Sequence, residues 1–310
     1  MTTAAPHAAL AAPAAAGRRV PDAAALLELL KPVTWFPPVW AFACGAVSSG
    51  AALAESWPLV LLGLLLAGPL VCGMSQAVND WFDRHVDAVN EPHRPIPSGR
   101  VPGRWGLWVA LGWTALSLLA ALPLGPWGVA GACVGAALAW AYSAPPPRLK
   151  RNGWWGNAAV AACYEGLPWL TAAAVLSGGA PAWPVLAVAA LYSAGAHGVM
   201  TLNDFKSVEG DRRFGIGSLP VRLGPDRAAR VACAFMAAPQ AVVVALLAAW
   251  AAPLHAAAVA LSLGVQVALM RRLLRDPRGL APWYNATGVS LYALGMMAAA
   301  LALRPGGLVP

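Results

Sequence analysis

Asn79-Asp80-Trp81-Phe82-Asp83-Arg84-His85-Val86-Asp87 closes a long apolar run. A degraded copy, Asn203-Asp204-Phe205-Lys206-Ser207-Val208-Glu209-Gly210-Asp211, closes another. Residues 79, 80 and 87 map onto 203, 204 and 211 with a single offset of 124 positions. Carboxylates are costly at a bilayer and concentrate at functional sites there. The chain has only 13 acidic residues among 310, so two matched clusters predict one shared site facing something cationic. Divalent ions bridging to a polyphosphate substrate fit that description.

The apolar runs themselves define the fold class. Apolar residues make up 59% of the chain and charged residues 11%, against about 25% charged in a soluble domain. Stretches near the ~20 residues needed to cross a bilayer recur. They fall at 33–53, 58–79, 104–123, 126–144, 155–176, 183–203, 229–250, 253–270 and 283–303. The expectation is an all-α integral membrane protein of nine transmembrane helices. They form one bundle around a central cavity that opens to the cytoplasmic side. Two polar loops, about 84–104 and 205–228, are expected to cap it. Similar motifs on even-numbered spans, four apart, indicate a parallel internal repeat. Pro58, Pro126, Pro184 and Pro282 fall at expected helix ends. Residues 22–310 read as one transmembrane domain, residues 1–21 as a disordered cytoplasmic tail, and 22–31 as a short amphipathic helix on the membrane surface.

A net charge of +8 raises the question of nucleic acid, but its distribution argues against that partner. All but one of the 21 basic residues fall at 18–31 or in 84–104, 148–151, 206–230 and 271–278. The intervening links carry none, as the positive-inside rule predicts for a cytoplasmic N-terminus and an odd number of spans. The five cysteines stand singly in apolar segments without CxxC or histidine pairing and read as packing residues.

On a helix, steps of four residues advance only about 40°. Asn79, Asp83 and Asp87 then form a column of oxygen ligands, with Asp80 in the same stripe. Asp204 and Asp211 are seven apart and share a face in the second motif, with Glu209 nearby. Oxygen-only columns suit Mg²⁺ held by a few carboxylates together with substrate phosphates. Helix capping also places Asn and Asp at helix ends; it does not explain two clusters in one register. A departing diphosphate needs cations, for which Arg94, Lys150 and Arg222 are candidates. Each also serves as a topology charge. Trp57, Trp105, Trp127, Trp154, Trp155, Trp183 and Trp283 suit an interfacial aromatic belt. Trp81, Trp140, Tyr142, Tyr164 and Trp169 are placed to line a cavity where an aromatic face steadies a carbocation. His197 reads as a satisfied intramembrane histidine before a catalytic base, and Glu165 should face the interior or an interface.

NDxxDxxxD at 79–87, Arg94-Pro-Ile-Pro-Ser-Gly99 and a second acidic motif before Gly215-Ile-Gly-Ser-Leu-Pro220 resemble the UbiA superfamily of intramembrane prenyltransferases. The resemblance covers about 30–300. It implies nine helices around a cavity and Mg²⁺-dependent transfer of an isoprenyl group from its diphosphate. Carried over, Asn79, Asp83 and Asp87 match first-motif metal ligands and Asp211 the final acid of the second. Tyr142, Ser143 and Lys150 match a polar segment that meets the diphosphate. Where many relatives carry Asp in the second motif this chain has Ser207, the repeat partner of Asp83, so Asp204 is the expected substitute. Asn90-Glu-Pro-His-Arg-Pro, Tyr142-Ser-Ala-Pro-Pro and Cys163-Tyr-Glu-Gly-Leu-Pro-Trp169 are similar to the chlorophyll and bacteriochlorophyll synthase branch.

That branch implies a geranylgeranyl or phytyl diphosphate donor and, as acceptor, the propionate of bacteriochlorophyllide a. It further implies membrane lipid as surroundings, the bacterial inner or intracytoplasmic photosynthetic membrane as location, and a geranylgeranyl reductase or photosynthetic assembly factor as conceivable partners. Chlorophyllide, a quinone precursor or haem remain alternative acceptors. A cation transporter would also use paired acids, but needs them near the bilayer midplane instead of at helix ends.

Overall fold

The computed structural model describes residues 20–304, so the expectation for the tail lies almost wholly outside the described residues. The chain begins with α1 (Ala23–Leu30), whose N-terminus is capped by Asp22 Oδ1 accepting from the Ala25 amide at 2.7 Å. Ala25, Leu29 and Leu30 are buried against Met74, Ala77 and Val78, so the short amphipathic helix docks on the protein. Next come α2 (Phe36–Ser48) and α3 (Trp57–Leu65). A π-helical segment, Leu66–Cys72, runs from α3 without a break into α4 (Gly73–Asn90). Pro69 lies inside it, and a widened turn absorbs the donor that proline lacks.

Helices α5 (Trp105–Ala121) and α6 (Gly125–Ser143) form a hairpin. The chain reverses there at Gly125, whose φ of +70° only glycine adopts freely. A second rod consists of α7 (Gly153–Ala161), a π segment at Ala162–Gly166, and α8 (Leu167–Ser177). After α9 (Trp183–Asn203) the second motif leaves the helix through a 3-10 turn, Asp204–Lys206. It re-enters a separate short helix, α10 (Val208–Arg213), followed by α11 (Leu219–Leu223). Three long helices end the fold: α12 (Pro225–Ala249), α13 (Pro253–Leu273) and α14 (Pro277–Ala302). Prolines open α3, α6, α9, α12, α13 and α14 within the first two positions, where the missing N–H costs nothing. Pro282 differs from its expected place: α14 starts at Pro277 and carries it internally.

Seven helical stretches among the described residues are long and apolar enough to cross a membrane. One of them, Trp105–Ser143, is the α5–α6 hairpin, and α2 is a further, shorter apolar helix. Helix α9 packs along α12, α13 along α14, and α2 along α8, while α14 returns to α2 and closes the bundle. Fully buried Trp169 stacks on Tyr192 at the centre and Tyr292 meets Tyr192 edge to face, with Trp169 Nε1 donating to Ser48 Oγ at 3.0 Å and the Tyr292 hydroxyl donating to the Tyr192 carbonyl. Outward surfaces are apolar, and Trp57, Trp105, Trp127 and Trp183 stand exposed at helix starts as a belt requires. Among the described residues the only β pairing is a parallel bridge, Asn152 to Gly217. It ties the loop after α6 to the loop after α10, with Gly153 N on Gly217 O at 2.8 Å and Gly217 N on Arg151 O at 3.0 Å.

Candidate active site

That bridge sits beside a polar cavity of about 650 Å³ between the two halves of the bundle. Helix α4 sends in Asn79, Asp83 and Asp87, and the second motif sends in Asp204, Ser207 and Asp211. Glu91, Arg94, Tyr142, Lys150, Asn157, Lys206 and Ser218 complete its charged and polar lining. The column on α4 forms because the apolar part of that helix ends near Val78, leaving one continuous helix to carry the polar motif. The second motif reaches the cavity differently. Its helix stops at Asn203, and the turn followed by α10 swings Asp211 back toward the same space.

Each carboxylate on α4 meets a cation. Lys150 Nζ lies 2.6 Å from Asp83 Oδ2, with Arg148 Nη2 at 3.3 Å from the other oxygen. Arg94 Nη1 lies 2.9 Å from Asp87 Oδ2, and its Nε is paired with Glu91. Burial disfavours the charged form of Lys150 and lowers its pKa, against the pull of Asp83. Burial likewise raises the pKa of Asp211, and the negative charge of Asp83 adds to the rise. The Ser218 hydroxyl opposes that rise, as does Ser207 Oγ, which donates to Asp211 Oδ2 at 3.1 Å. The residue that replaces an acid in this motif thus supports the acid that remains. Asp204 accepts from Asn157 Nδ2 at 3.1 Å.

Several expected site residues do not line the cavity. Asp80 is 1% exposed; its Oδ1 accepts from Lys31 Nζ at 2.6 Å and stands 3.5 Å from Arg94 Nη1. One residue further along a helix is a rotation of about 100°, which carries Asp80 to the edge of the stripe and under the end of α1. Ser143 is fully buried and accepts from Asn79 Nδ2 at 3.3 Å, which orients that amide. Arg222 is exposed on α11. Asn203, the repeat partner of Asn79, accepts from Asn285 on α14 at 2.9 Å, and Glu209 is exposed beside Arg212. Of the five aromatic residues expected at a cavity, Tyr142 and Tyr164 line the polar cavity or the apolar one beside it, whereas Trp81, Trp140 and Trp169 line neither. His197 lies between Trp154 and Phe235 with Nε2 on the Trp154 carbonyl at 3.2 Å, and Glu165 is buried away from the cavity.

Six contributors lie outside the expected site residues: Lys31, Glu91, Arg148, Asn157, Lys206 and Ser218. An amide such as Asn157 inside the apolar run at 155–176 is itself a flag, because intramembrane polar groups need a purpose. Lys31 gave no such signal, since its role depends on where α1 docks.

Asn79, Asp83, Asp87, Asp204 and Asp211 offer oxygen donors only, the set a hard cation such as Mg²⁺ prefers. Among the described residues no three acidic, histidine or cysteine side chains approach closely enough to enclose an ion alone. Mg²⁺ is usually held by one or two carboxylates plus phosphate oxygens. The divided donor set therefore fits a metal that is completed by a diphosphate.

Residues 35–291 match the UbiA prenyltransferase family, and the chain belongs to it. It is 62% identical to the bacteriochlorophyll synthase 33 kDa chain of Cereibacter sphaeroides, over 93% of this chain and 95% of that one. It is 37% identical to the chloroplastic chlorophyll synthase of Arabidopsis thaliana, over 89% of this chain and 73% of that one. The fold matches a UbiA homolog from Archaeoglobus fulgidus bound to DMAPP and Mg²⁺ with a TM-score of 0.61, at 19% identity, covering 90% of this chain and 99% of that one.

Proposed function

We propose that this protein transfers a geranylgeranyl or phytyl group from its diphosphate to the propionate carboxylate of bacteriochlorophyllide a, in a bacterial photosynthetic membrane. The observation that carries the proposal is the single cavity in which both acidic motifs meet Arg94 and Lys150. High identity to bacteriochlorophyll synthase chains supports the choice of acceptor. In this reading nine helical rods cross the bilayer, with α5 and α6 counted separately and α2 as the first. The N-terminus and the polar cavity face the cytoplasm, because the basic clusters lie on alternate links.

Asn79, Asp83 and Asp87 on one wall, with Asp204 and Asp211 on the other, would hold Mg²⁺, which neutralises charge accumulating on a departing diphosphate. Arg94 and Lys150 add donors to the same oxygens and exchange their carboxylate partners for phosphate. Tyr142 lines both the polar cavity and the cavity next to it, with its ring centroid 5.9 Å from Lys150 Nζ, and its aromatic face would steady an allylic cation formed there. The allylic C–O bond breaks with its electron pair going to the diphosphate. A propionate oxygen of the acceptor then forms the new C–O bond. The acceptor is already a carboxylate at neutral pH, so no general base is required, and none is assigned.

Purified full-length protein, geranylgeranyl diphosphate and MgCl₂ should convert bacteriochlorophyllide a to its ester, seen by chromatography and mass spectrometry, and EDTA should stop it. Preferential prenylation of chlorophyllide, haem or a quinone precursor in the same assay would reassign the acceptor. Mg²⁺-independent ion flux in proteoliposomes without prenyl transfer would sink the reading altogether.

A further inference from the structure

We infer that the passage bounded by Ala67, Val71, Gly135 and Cys163 selects the length of the prenyl chain, with Gly135 as the specificity-determining position. The inference rests on the prenyl-transfer reading above. Asn79 and Tyr142 belong both to the polar cavity and to a second cavity of about 190 Å³ behind it. A third, of about 40 Å³, shares Ala67, Val71, Gly135 and Cys163 with the second and is walled mainly by apolar side chains. A diphosphate held in the polar cavity would therefore send its hydrocarbon tail past Tyr142 and along the wall that these four residues share between the larger and the smaller apolar cavity.

The passage is built from special backbone on two sides. Ala67 and Val71 lie in the π-helical segment Leu66–Cys72, and Cys163 lies in the π-helical segment Ala162–Gly166. Such widened turns recur at functional sites because they re-aim side chains without ending the helix. The third side is α6, where Gly135 contributes no side chain. A Cβ placed there would stand 3.2 Å from Val71 Cγ1 and 3.4 Å from Leu167 Cδ2. Gly135 thus lets Val71 pack close against α6, and a methyl group added there would push the Val71 side chain, which lines both cavities, into the passage. A longer donor needs more of this passage than a shorter one, so a displaced Val71 would obstruct the longer chain more.

The test compares geranyl and geranylgeranyl diphosphate, using full-length wild type, Gly135→Ala and Gly135→Ala/Val71→Ala. Two quantities are read: transfer to bacteriochlorophyllide a, and Mg²⁺-dependent binding of each donor by competition. Gly135→Ala should lower the preference for the long donor over the short one by about tenfold, the scale of one methylene in a tight apolar site. The double variant, lacking the Val71 methyls that the new Cβ would meet, should recover most of that preference. If Gly135→Ala does not fold, Val71→Leu narrows the passage from the facing wall and must give the same selective loss. An unchanged preference, or equal loss of both donors, overturns the inference. Binding of both donors without transfer by wild type would instead refute the acceptor assignment, while the binding preference still decides the gate.

Discussion

Lys150 Nζ and Asp83 Oδ2 lie 2.6 Å apart, joining the turn after α6 to the middle of the first acidic motif, with the two side chains 6% and 15% exposed. Such a pair is stabilising mainly in the sense that either half alone is an uncompensated buried charge. Its second role is to keep a cation beside the oxygen donors until phosphate competes for it. We expect Lys150→Met and Asp83→Asn each to lower thermal stability in detergent. The double variant should be more stable than the less stable single one. A double variant destabilised by the sum of both changes would show that the pair is not coupled. All three should lose prenyl transfer.

Asp87 and Asp80 separate ligand from support. Asp87 lines the cavity and Asp80 is tucked under Lys31. Asp87→Ala should reduce turnover by more than about a hundredfold, beyond the usual cost of an outer-shell change, while the protein remains folded. Asp80→Asn should weaken the donor's KM through Arg94, leaving the Mg²⁺ concentration for half-maximal rate unchanged. A large rise in that Mg²⁺ requirement for Asp80→Asn would return Asp80 to the metal ligands.

Acidification should release metal early. Burial raises the Asp211 pKa, so its protonated form persists to higher pH than in an ordinary carboxyl. Mg²⁺ binding, which needs the carboxylate, is therefore complete above the raised pKa and is lost as pH falls through it. The Ser218 and Ser207 hydroxyls both favour the ionised form, and Ser207→Ala removes the second of them. It should move the acid limb of donor-supported Mg²⁺ binding to higher pH. Movement to lower pH, or none, would contradict the assigned role of Ser207.

Far from the cavity, Gln240 on α12 and Gln266 on α13 exchange reciprocal amide bonds of 3.1 and 3.0 Å and are nearly unexposed. Interhelical bonds of this kind contribute on average roughly 0.6 kcal/mol in a membrane. Gln240→Leu leaves Gln266 Oε1 without its donor, while Nε2 keeps Ser262 Oγ at 3.4 Å, and should destabilise by somewhat more, about 1–3 kcal/mol. Gln240→Leu/Gln266→Leu should be close to wild type by thermal unfolding. Prenyl transfer should be unaffected in both; lost activity would assign the pair a role beyond packing.

Much of the architecture was legible in the chain. The run at 183–203 became α9 with those bounds, and the first motif formed the expected continuous column on α4. The second motif was misread as one helix face because spacing alone cannot reveal the 3-10 turn at Asp204. Glu165 illustrates a different limit: its burial was foreseen, but its place on a π segment away from the cavity was not.

Sequence alone determined that the chain is a bundle of membrane helices carrying two acidic clusters and their cations, since hydropathy, charge asymmetry and motif spacing are local properties. Only the tertiary structure decided that Asp80 turns to Lys31 instead of the cavity, that Asn157 and Ser207 support Asp204 and Asp211, and that Gly135 faces Val71. Periodicity fixes a residue's angle on its own helix. Which angle meets a cavity is set by how the neighbouring helices dock, and that information is spread over residues far apart in the chain.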